Sequence, residues 1–238
     1  MSRPLVYLLD VEGTTSPVSL VSEMLFPYAR KHLFWFLNAR VKEPEIQSDM
    51  QLLAEELRAE TAEDCQFLGK PMTNVGHAAE YLLWLMDRDR KSTALKSLQG
   101  KIWKQGYESG ELVGTVFPDV PAALERWSRD AQVAIYSSGS VGAQKLIFGH
   151  SSAGDLTRFL SGYFDTRTGA KTSPDSYRAI AAAMGVATSE MLFVSDLLRE
   201  LDPAREAGCM TRLSVREGNA VVAEGHGHAA IRSFEEIG

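Results

Sequence analysis

Leu5-Val-Tyr-Leu-Leu9-Asp10-Val-Glu12-Gly-Thr-Thr15 decides the fold. Five apolar residues in a row end at a carboxylate. A run that is apolar on both faces suits a central parallel strand, which is buried on both sides. Gly13 to Pro17 then break the run into a polar turn. Open α/β sheets place their chemistry at such turns, beyond the carboxyl ends of the strands. Asp10 and Glu12 stand two apart, so in extended backbone they face the same way. Two carboxyls aimed at one pocket can divide the labour, one attacking while the other carries a proton. Gly13 lets the chain turn closely there, and backbone N–H groups of the turn can donate to an anion.

Further runs of the same kind follow downstream. Val133-Ala-Ile-Tyr136 leads into Ser137-Ser138-Gly139, and Met191-Leu-Phe-Val194 leads into Ser195-Asp196. A third candidate is Met210-Thr-Arg-Leu-Ser-Val215. Helical stretches separate them at 141–148, 176–184 and 202–207, with Gly149, Gly185 and Gly208 where helix stops belong. Strand–helix alternation predicts a parallel α/β sheet with right-handed crossovers. Residues 218–228 read as irregular.

From about Ser19 to Glu111 the pattern is helical instead. Val21, Met24, Leu25, Tyr28, Leu33, Phe36 and Leu37 recur every three or four residues, and so do Leu95, Leu98 and Ile102. The chain therefore divides into an α/β core of residues 1–18 and 112–238 and an all-helical insertion of residues 19–111. Trp35, Trp84, Trp103 and Trp127 lie on helical patterns and are expected in the cores.

With 238 residues, 45% of them apolar and 24% charged, the chain is an ordinary globular protein that needs no staple. Its net charge of −6 argues against a nucleic-acid partner, which needs clustered Lys and Arg. Cys65 and Cys209 have neither zinc nor disulfide-framework spacing and are expected as reduced, partly buried residues. The five-residue apolar run near the N-terminus is too short for a signal peptide or membrane span. A cytoplasmic protein with no membrane partner is the expectation. No GxGxxG or GxxxxGK[ST] string is present.

Three more places carry candidate chemistry. Ser137 and Ser138, before a helix start, form an anion seat of hydroxyl and backbone N–H groups, though both types are also common in plain turns. Lys171, in Gly169-Ala-Lys171-Thr-Ser-Pro174, can neutralise a phosphate as a point charge. Taken alone it would read as a solvated surface charge. Asp196 is an oxygen ligand of the type a hard divalent cation needs, and could also cap the next helix. Glu200 reads equally as its support or as a solvated helix position. His226 and His228 lie in a Gly-rich loop without a carboxylate pair, which argues against a metal there. The Asp87-Arg-Asp-Arg-Lys91 run reads as a solvated helix end.

In order along the chain, the Asp-x-Glu-Gly-Thr string, the hydroxyl turn, the lysine and the second acid resemble the haloacid-dehalogenase-like superfamily of phosphohydrolases. Longer strings resemble one family within it, the enolase-phosphatases (acireductone synthases) of methionine salvage. These are Asp10-Val-Glu-Gly-Thr-Thr-Ser-Pro17, Leu25-Phe-Pro-Tyr28, Asp89-Arg-Lys-Ser-Thr-Ala-Leu-Lys96, Ile135-Tyr-Ser-Ser-Gly-Ser-Val141 and Phe148-Gly-His150. Glu12 stands where the wider superfamily has Asp, as in that family.

The resemblance implies a Rossmann-like core with a helical cap inserted after the first strand. It implies Asp10 as nucleophile through an aspartyl-phosphate, Glu12 as proton carrier, and Ser137, Ser138 and Lys171 on the phosphoryl group. Mg²⁺ is implied as cofactor on Asp10, Asp196 and the main-chain carbonyl of Glu12. The implied reaction takes 2,3-diketo-5-methylthiopentyl-1-phosphate to an enol and then to 1,2-dihydroxy-3-keto-5-methylthiopentene plus phosphate, in a monomer. Glu12 and Mg²⁺ in the core, or Lys91, Lys96 and Gln99 in the cap, are candidates for the enolisation. Phe26, Tyr81 or Trp84 are candidates for an apolar wall. A phosphatase for another small phosphoester and a phospho-accepting receiver module are the alternatives. The receiver places its acidic pair and its acceptor after different strands, unlike Asp10 and Glu12.

Overall fold

The structure is a computed structural model that describes residues 3–61, 63–223 and 225–237. It contains one six-stranded parallel sheet: β1 (Val6–Leu9), β2 (Gln132–Tyr136), β3 (Gly162–Phe164), β4 (Met191–Ser195), β5 (Met210–Ser214) and β6 (Ala229–Ile231). Their order is β3-β2-β1-β4-β5-β6. Every residue of β1 is fully buried, as its unbroken apolar run requires. Successive side chains alternate between the two faces. Val6 and Leu8 join Tyr136, Tyr177, Ile180, Phe193 and Leu201 in one layer. Tyr7 points the other way and stacks on Trp127 at 4.3 Å between ring centroids.

The chain winds outward from β1 to β3, then crosses back to β4 and winds outward the other way. β1 and β4 thus flank the switch point where open α/β sheets bind ligands. Leu9 pairs with Ile135 on one side and Val194 on the other. Asp10 is therefore level with Tyr136 and Ser195, and Ser137 and Asp196 come one residue later on the same rim.

Among the described residues, four α-helices accompany the sheet: α5 (Val120–Trp127), α6 (Val141–Gly149), α7 (Pro174–Met184) and α8 (Leu198–Glu206). α7 starts two residues before its expected position, with Pro174 in the first turn, where no N–H is lost. α8 starts four residues early, because its polar positions Arg199, Glu200 and Asp202 hide the buried pair Leu201 and Ala204. Gly185 takes the expected left-handed cap at φ 72°, whereas Gly149 is the last residue of α6 rather than the stop beyond it. β3, β6 and α5 escaped the sequence reading. Both strands are three-residue edge strands, too short for the apolar run that marks a central strand. No regular element spans the described residues between Ser214 and Ala229.

By contacts the chain splits into two compact units, Met1–Ser22 with Gly110–Gly238, and Glu23–Ser109. Within the first unit, Phe117 N–H donates to Thr15 O at 2.9 Å. The second unit holds α1 (Phe26–Arg40), α2 (Pro44–Ala59), α3 (Val75–Asp87) and α4 (Thr93–Glu108). Asn74 caps α3 through His77 N–H, and Ser92 caps α4 through Leu95 N–H. Glu56 adds a carboxylate at the same helix start, accepting from Thr93 N–H at 2.8 Å.

Trp84, Trp103 and Trp127 are buried as expected, but Trp35 is 71% exposed. The buried stripe of α1 runs through Ala29, Leu33, Phe36 and Leu37. Trp35 lies two positions from Leu33, far off that stripe at 3.6 residues per turn. The Asp87–Lys91 run ends α3 with the exposed pairs Arg30–Asp87 and Arg88–Asp64, and with Arg90 on the largely buried Glu60 carboxylate. No helix among the described residues is long and apolar enough to cross a membrane.

Candidate active site

Asp10 is the first residue past β1 and is buried. Its Oδ1 accepts from Val11 N–H at 2.8 Å and from Lys171 Nζ at 2.6 Å. Its Oδ2 lies 3.4 Å from Ser195 Oγ. The turn after it is tied back on itself, with Thr14, Thr15 and Ser16 N–H groups all donating to Val11 O. Thr15 Oγ1 meets Asp10 O at 3.0 Å.

Lys171 is as buried as Asp10, and its ammonium also lies 2.5 Å from Glu200 Oε2. Burial opposes its charge, but Asp10 and Glu200 outweigh burial and hold the lysine above its ordinary range. Glu200 Oε2 also accepts from Ser195 Oγ at 2.9 Å. Burial, then the Asp10 charge, push the Glu200 carboxyl up against the pull of Lys171 and Ser195. Asp10, Lys171, Glu200 and Ser195 thus close a ring.

Asp196 approaches from β4. Gly13 sits at φ 67°, and a Cβ there would lie 2.5 Å from Asp196 Oδ2 and 2.8 Å from Asn219 Oδ1. Only glycine allows that approach. Burial, followed by repulsion from Asp10 and Glu200, pushes the Asp196 carboxyl up to about 6. Glu12 is exposed as a residue, but its carboxyl end is crowded. Loss of water there, then the charge of Asp10, push it up to about 7, with Lys171 opposing and Asp196 and Glu200 adding. Water that still reaches Glu12 screens part of this shift.

Ser137 and Ser138 follow β2, the neighbour of β1. Ser137 is buried, its N–H donates to Phe164 O, and its Oγ accepts from Gly139 N–H at 3.1 Å. Ser138 is exposed. Ser140 caps α6, and Gln144 Nε2 holds Gly139 O at 2.9 Å and Phe164 O at 2.8 Å. The structure therefore joins Asp10, Lys171 and Glu200 by direct contact and packs Asp196 against the Gly13 turn. It sets Ser137 and Ser138 on the adjacent strand end of the same rim.

Sequence reasoning left Glu200 open and overlooked Ser195 and Asn219. Glu200 falls in the first turn of α8, and its burial follows from a helix face that only tertiary packing reveals. Asn219 lies in the irregular 218–228 segment. Its Nδ2 donates to Gly13 O at 2.9 Å, where Ser214 Oγ donates as well. Its buried Oδ1 meets no donor among the described residues. No periodic signal marks such a residue. The His228 ring lies between Thr211 Oγ1 at 2.7 Å and Asp202 Oδ1 at 3.1 Å, and the His228 backbone N–H donates to His226 Nδ1 at 3.1 Å.

In the helical unit, Lys91 and Lys96 are exposed and Gln99 is buried on α4. Tyr81 and Trp84 are both buried. They pack with Phe67 inside that unit, with centroids 5.5 to 6.5 Å apart. Phe26 is 43% exposed and tilts on Trp103.

Residues 6–208 match the family model of the haloacid dehalogenase-like hydrolases. The enolase-phosphatase E1 of Synechococcus elongatus is 52% identical over 232 residues, covering 97% of this chain and 96% of that one. The enolase-phosphatase E1 of Pseudomonas fluorescens is 46% identical over 233 residues, covering 98% and 96%. Among solved structures, the UTR4 protein of Saccharomyces cerevisiae superposes with a TM-score of 0.82 at 35% identity, covering 98% of this chain and 99% of that one.

Proposed function

The chain belongs to the haloacid dehalogenase-like hydrolases and, within them, to the enolase-phosphatase E1 family, and from that membership we propose that Asp10 is the nucleophile of an enolase-phosphatase. The substrate in this reading is 2,3-diketo-5-methylthiopentyl-1-phosphate, converted to the acireductone 1,2-dihydroxy-3-keto-5-methylthiopentene and phosphate in methionine salvage. The observation that carries it is the contact of Asp10 with Lys171 at the rim beside the switch point. A buried carboxylate held by a buried ammonium is a nucleophile with its charge clamp already in place.

The rim also fits a hard cation. The carboxyls of Asp10, Glu12, Asp196 and Glu200 act on one another against the single ammonium of Lys171. That surplus of negative charge and the unmet Asn219 Oδ1 suit a divalent ion with its waters. No three His, Cys, Asp or Glu side chains gather as a metal cage among the described residues. Mg²⁺ asks for less, taking one or two carboxylates and keeping several waters. Asp10 and Asp196 would hold it by their carboxylates and position 12 by its main-chain carbonyl. When bound, Mg²⁺ offsets the negative charge of the phosphoryl oxygens.

The chain's own groups then divide the steps. An Asp10 oxygen forms a bond to phosphorus as the ester P–O bond breaks, and Glu12 gives its proton to the leaving oxygen. Water attacks the aspartyl-phosphate, its proton goes to Glu12, and the Asp10–phosphorus bond breaks to release phosphate. A carboxyl titrating near neutrality suits both directions of that transfer. The same range makes Glu12 the group at this rim suited to move the proton in enolisation. Lys171, Ser137 and Ser138 hold the transferring phosphoryl group. The residues 19–111 act as the cap of this enzyme.

We place the reaction in the cytoplasm, on a small phosphorylated molecule, in a monomer. The buried, free Cys65 and Cys209 accord with a reducing compartment. Mg²⁺-dependent phosphate release from the diketone phosphate, followed with ultraviolet detection of the enol, tests the whole reading. Asp10→Asn is expected to abolish phosphate release, and near-normal turnover by that variant overturns the mechanism. Phosphate released without an enol signal would favour a phosphatase for another small phosphoester.

A further inference from the structure

Three consecutive backbone carbonyls around Lys171 are each held by a different side-chain hydroxyl. Tyr136 Oη donates to Gly169 O at 2.9 Å, Ser176 Oγ to Ala170 O at 2.7 Å, and Tyr177 Oη to Lys171 O at 2.7 Å. Tyr177 Oη also lies 2.9 Å from Glu200 O, so its one proton is shared between the main chains of the lysine and of the acid that pairs with it. Tyr136 ends β2, while Ser176 and Tyr177 stand in the first turn of α7. The loop is therefore stapled to two elements at once. Gly169 at φ 148° leaves no room for a Cβ against Ser176. Tyr177 is fully buried against Tyr136 and Phe193, and the Lys171 ammonium lies 5.8 Å and 5.9 Å from those two ring centroids.

We infer that Tyr136, Ser176 and Tyr177 are positioning residues for Lys171, fixing its backbone so that the ammonium keeps its place through turnover. This rests on the phosphohydrolase reading of Asp10 and Lys171. An ammonium is a point charge on a flexible stem and lacks the fork that orients a guanidinium. Its placement is set by where its main chain is anchored and by the charges around it. Those charges change during the reaction. When Asp10 becomes an acyl phosphate its carboxyl gives up its own negative charge, while Glu200 keeps pulling on the ammonium. A soft loop would let Lys171 follow Glu200 away from the phosphoryl group. A misplacement of about 1 Å can cost on the order of 10²-fold in rate. The three hydroxyls oppose that drift, and Tyr177 ties the lysine and Glu200 main chains to one oxygen.

The test removes one oxygen at a time from the full chain with Mg²⁺, in Tyr177→Phe, Tyr136→Phe and Ser176→Ala. Ser151→Ala is the control, since its hydroxyl also holds a backbone carbonyl, that of Gly154, away from this loop. In the three clamp variants kcat is expected to fall by roughly 10- to 100-fold and inhibition by orthovanadate to weaken in parallel. KM and the half-saturating Mg²⁺ concentration are expected to stay within about threefold, because neither ground-state binding nor the metal ligands are touched. In a Lys171→Arg background, Tyr177→Phe is expected to cost less than about threefold more, since the two act through one charge.

Should one variant fail to fold, the other two carry the same test. A kcat within twofold of wild type in the folded variants, beside an inactive Lys171→Ala, overturns the clamp and leaves the phosphohydrolase standing. So does a loss of Mg²⁺ affinity that matches the loss of kcat. A fully active Lys171→Ala would instead overturn the underlying reading.

Discussion

Lys171 is the only cation in contact with the ring of Asp10, Glu200 and Ser195 among the described residues. Removing it leaves two buried carboxylates near each other with no cation between them. Lys171→Ala is expected to lose about 3–5 kcal/mol of stability at neutral pH and roughly 10²-fold or more in phosphate release. The pH dependence of that variant is a further signature. Unpaired buried carboxylates bind protons more tightly folded than unfolded, so the variant should gain stability as pH falls from about 8 to about 5. Urea denaturation across that range checks it, and a stability that falls toward acid would contradict the pairing.

Glu12 near 7 and Asp196 near 6 both stand above their ordinary values in the metal-free protein. An acid raised in the folded state stabilises below that value and loses its contribution as pH rises through it. The metal-free protein should thus weaken as pH climbs toward about 7. Mg²⁺ held by the Asp196 carboxylate must displace the Asp196 proton, so its affinity should rise as pH climbs through about 6, with proton release. Calorimetric titration in buffers of different ionisation enthalpy reads both quantities. Affinity unchanged between about pH 5 and 7 would mean that the Asp196 carboxylate does not hold the metal.

At the scale of elements, α5 is held by more than its apolar face. Asp119 at its start pairs with Arg216 at 2.8 Å and accepts from Phe234 N–H at 2.6 Å. The Arg216 guanidinium lies over the rings of Phe117 and Phe234. Burial raises the Asp119 carboxyl, but Arg216 and the Phe234 N–H overcome it and leave the acid below its ordinary range. A lowered acid stabilises above its unfolded value, and that contribution fades as pH falls through the folded one. Asp119→Ala should cost about 3–5 kcal/mol near neutrality and much less at about pH 3, by denaturant titration. Equal losses at both pH values would refute the ion pair.

The legible elements were those with long, one-sided signals. β1, β2 and β4 could be read because central parallel strands are apolar throughout. β3 and β6 could not, because an edge strand of three residues carries too little side-chain pattern. Trp35 shows the opposite error, a residue type trusted over the helical period that excluded it. At the rim, Asp10, Lys171 and Asp196 stood out by position after or between strands. Glu200 and Asn219 matter through contacts made only once the chain is folded.

At the scale of the whole molecule, groups from five stretches of sequence meet beside one switch point: the turn after β1, the end of β2, the lysine loop, the end of β4 and the segment after β5. A parallel sheet makes this possible, since all its strands deliver their carboxyl ends to the same edge. Each stretch can vary in length on its far side without moving its near end.

The bond from Phe117 N–H to Thr15 O has an evolutionary reach. It pins the chain on either side of residues 23–109, so the sheet is expected to form whatever joins those two points. The junction is expected to act as a socket that tolerates a different connection. Residues 1–22 joined to 110–238 by about eight glycines and serines should still unfold cooperatively in urea. A miniature that melts without a transition would show that the module and its socket were selected together.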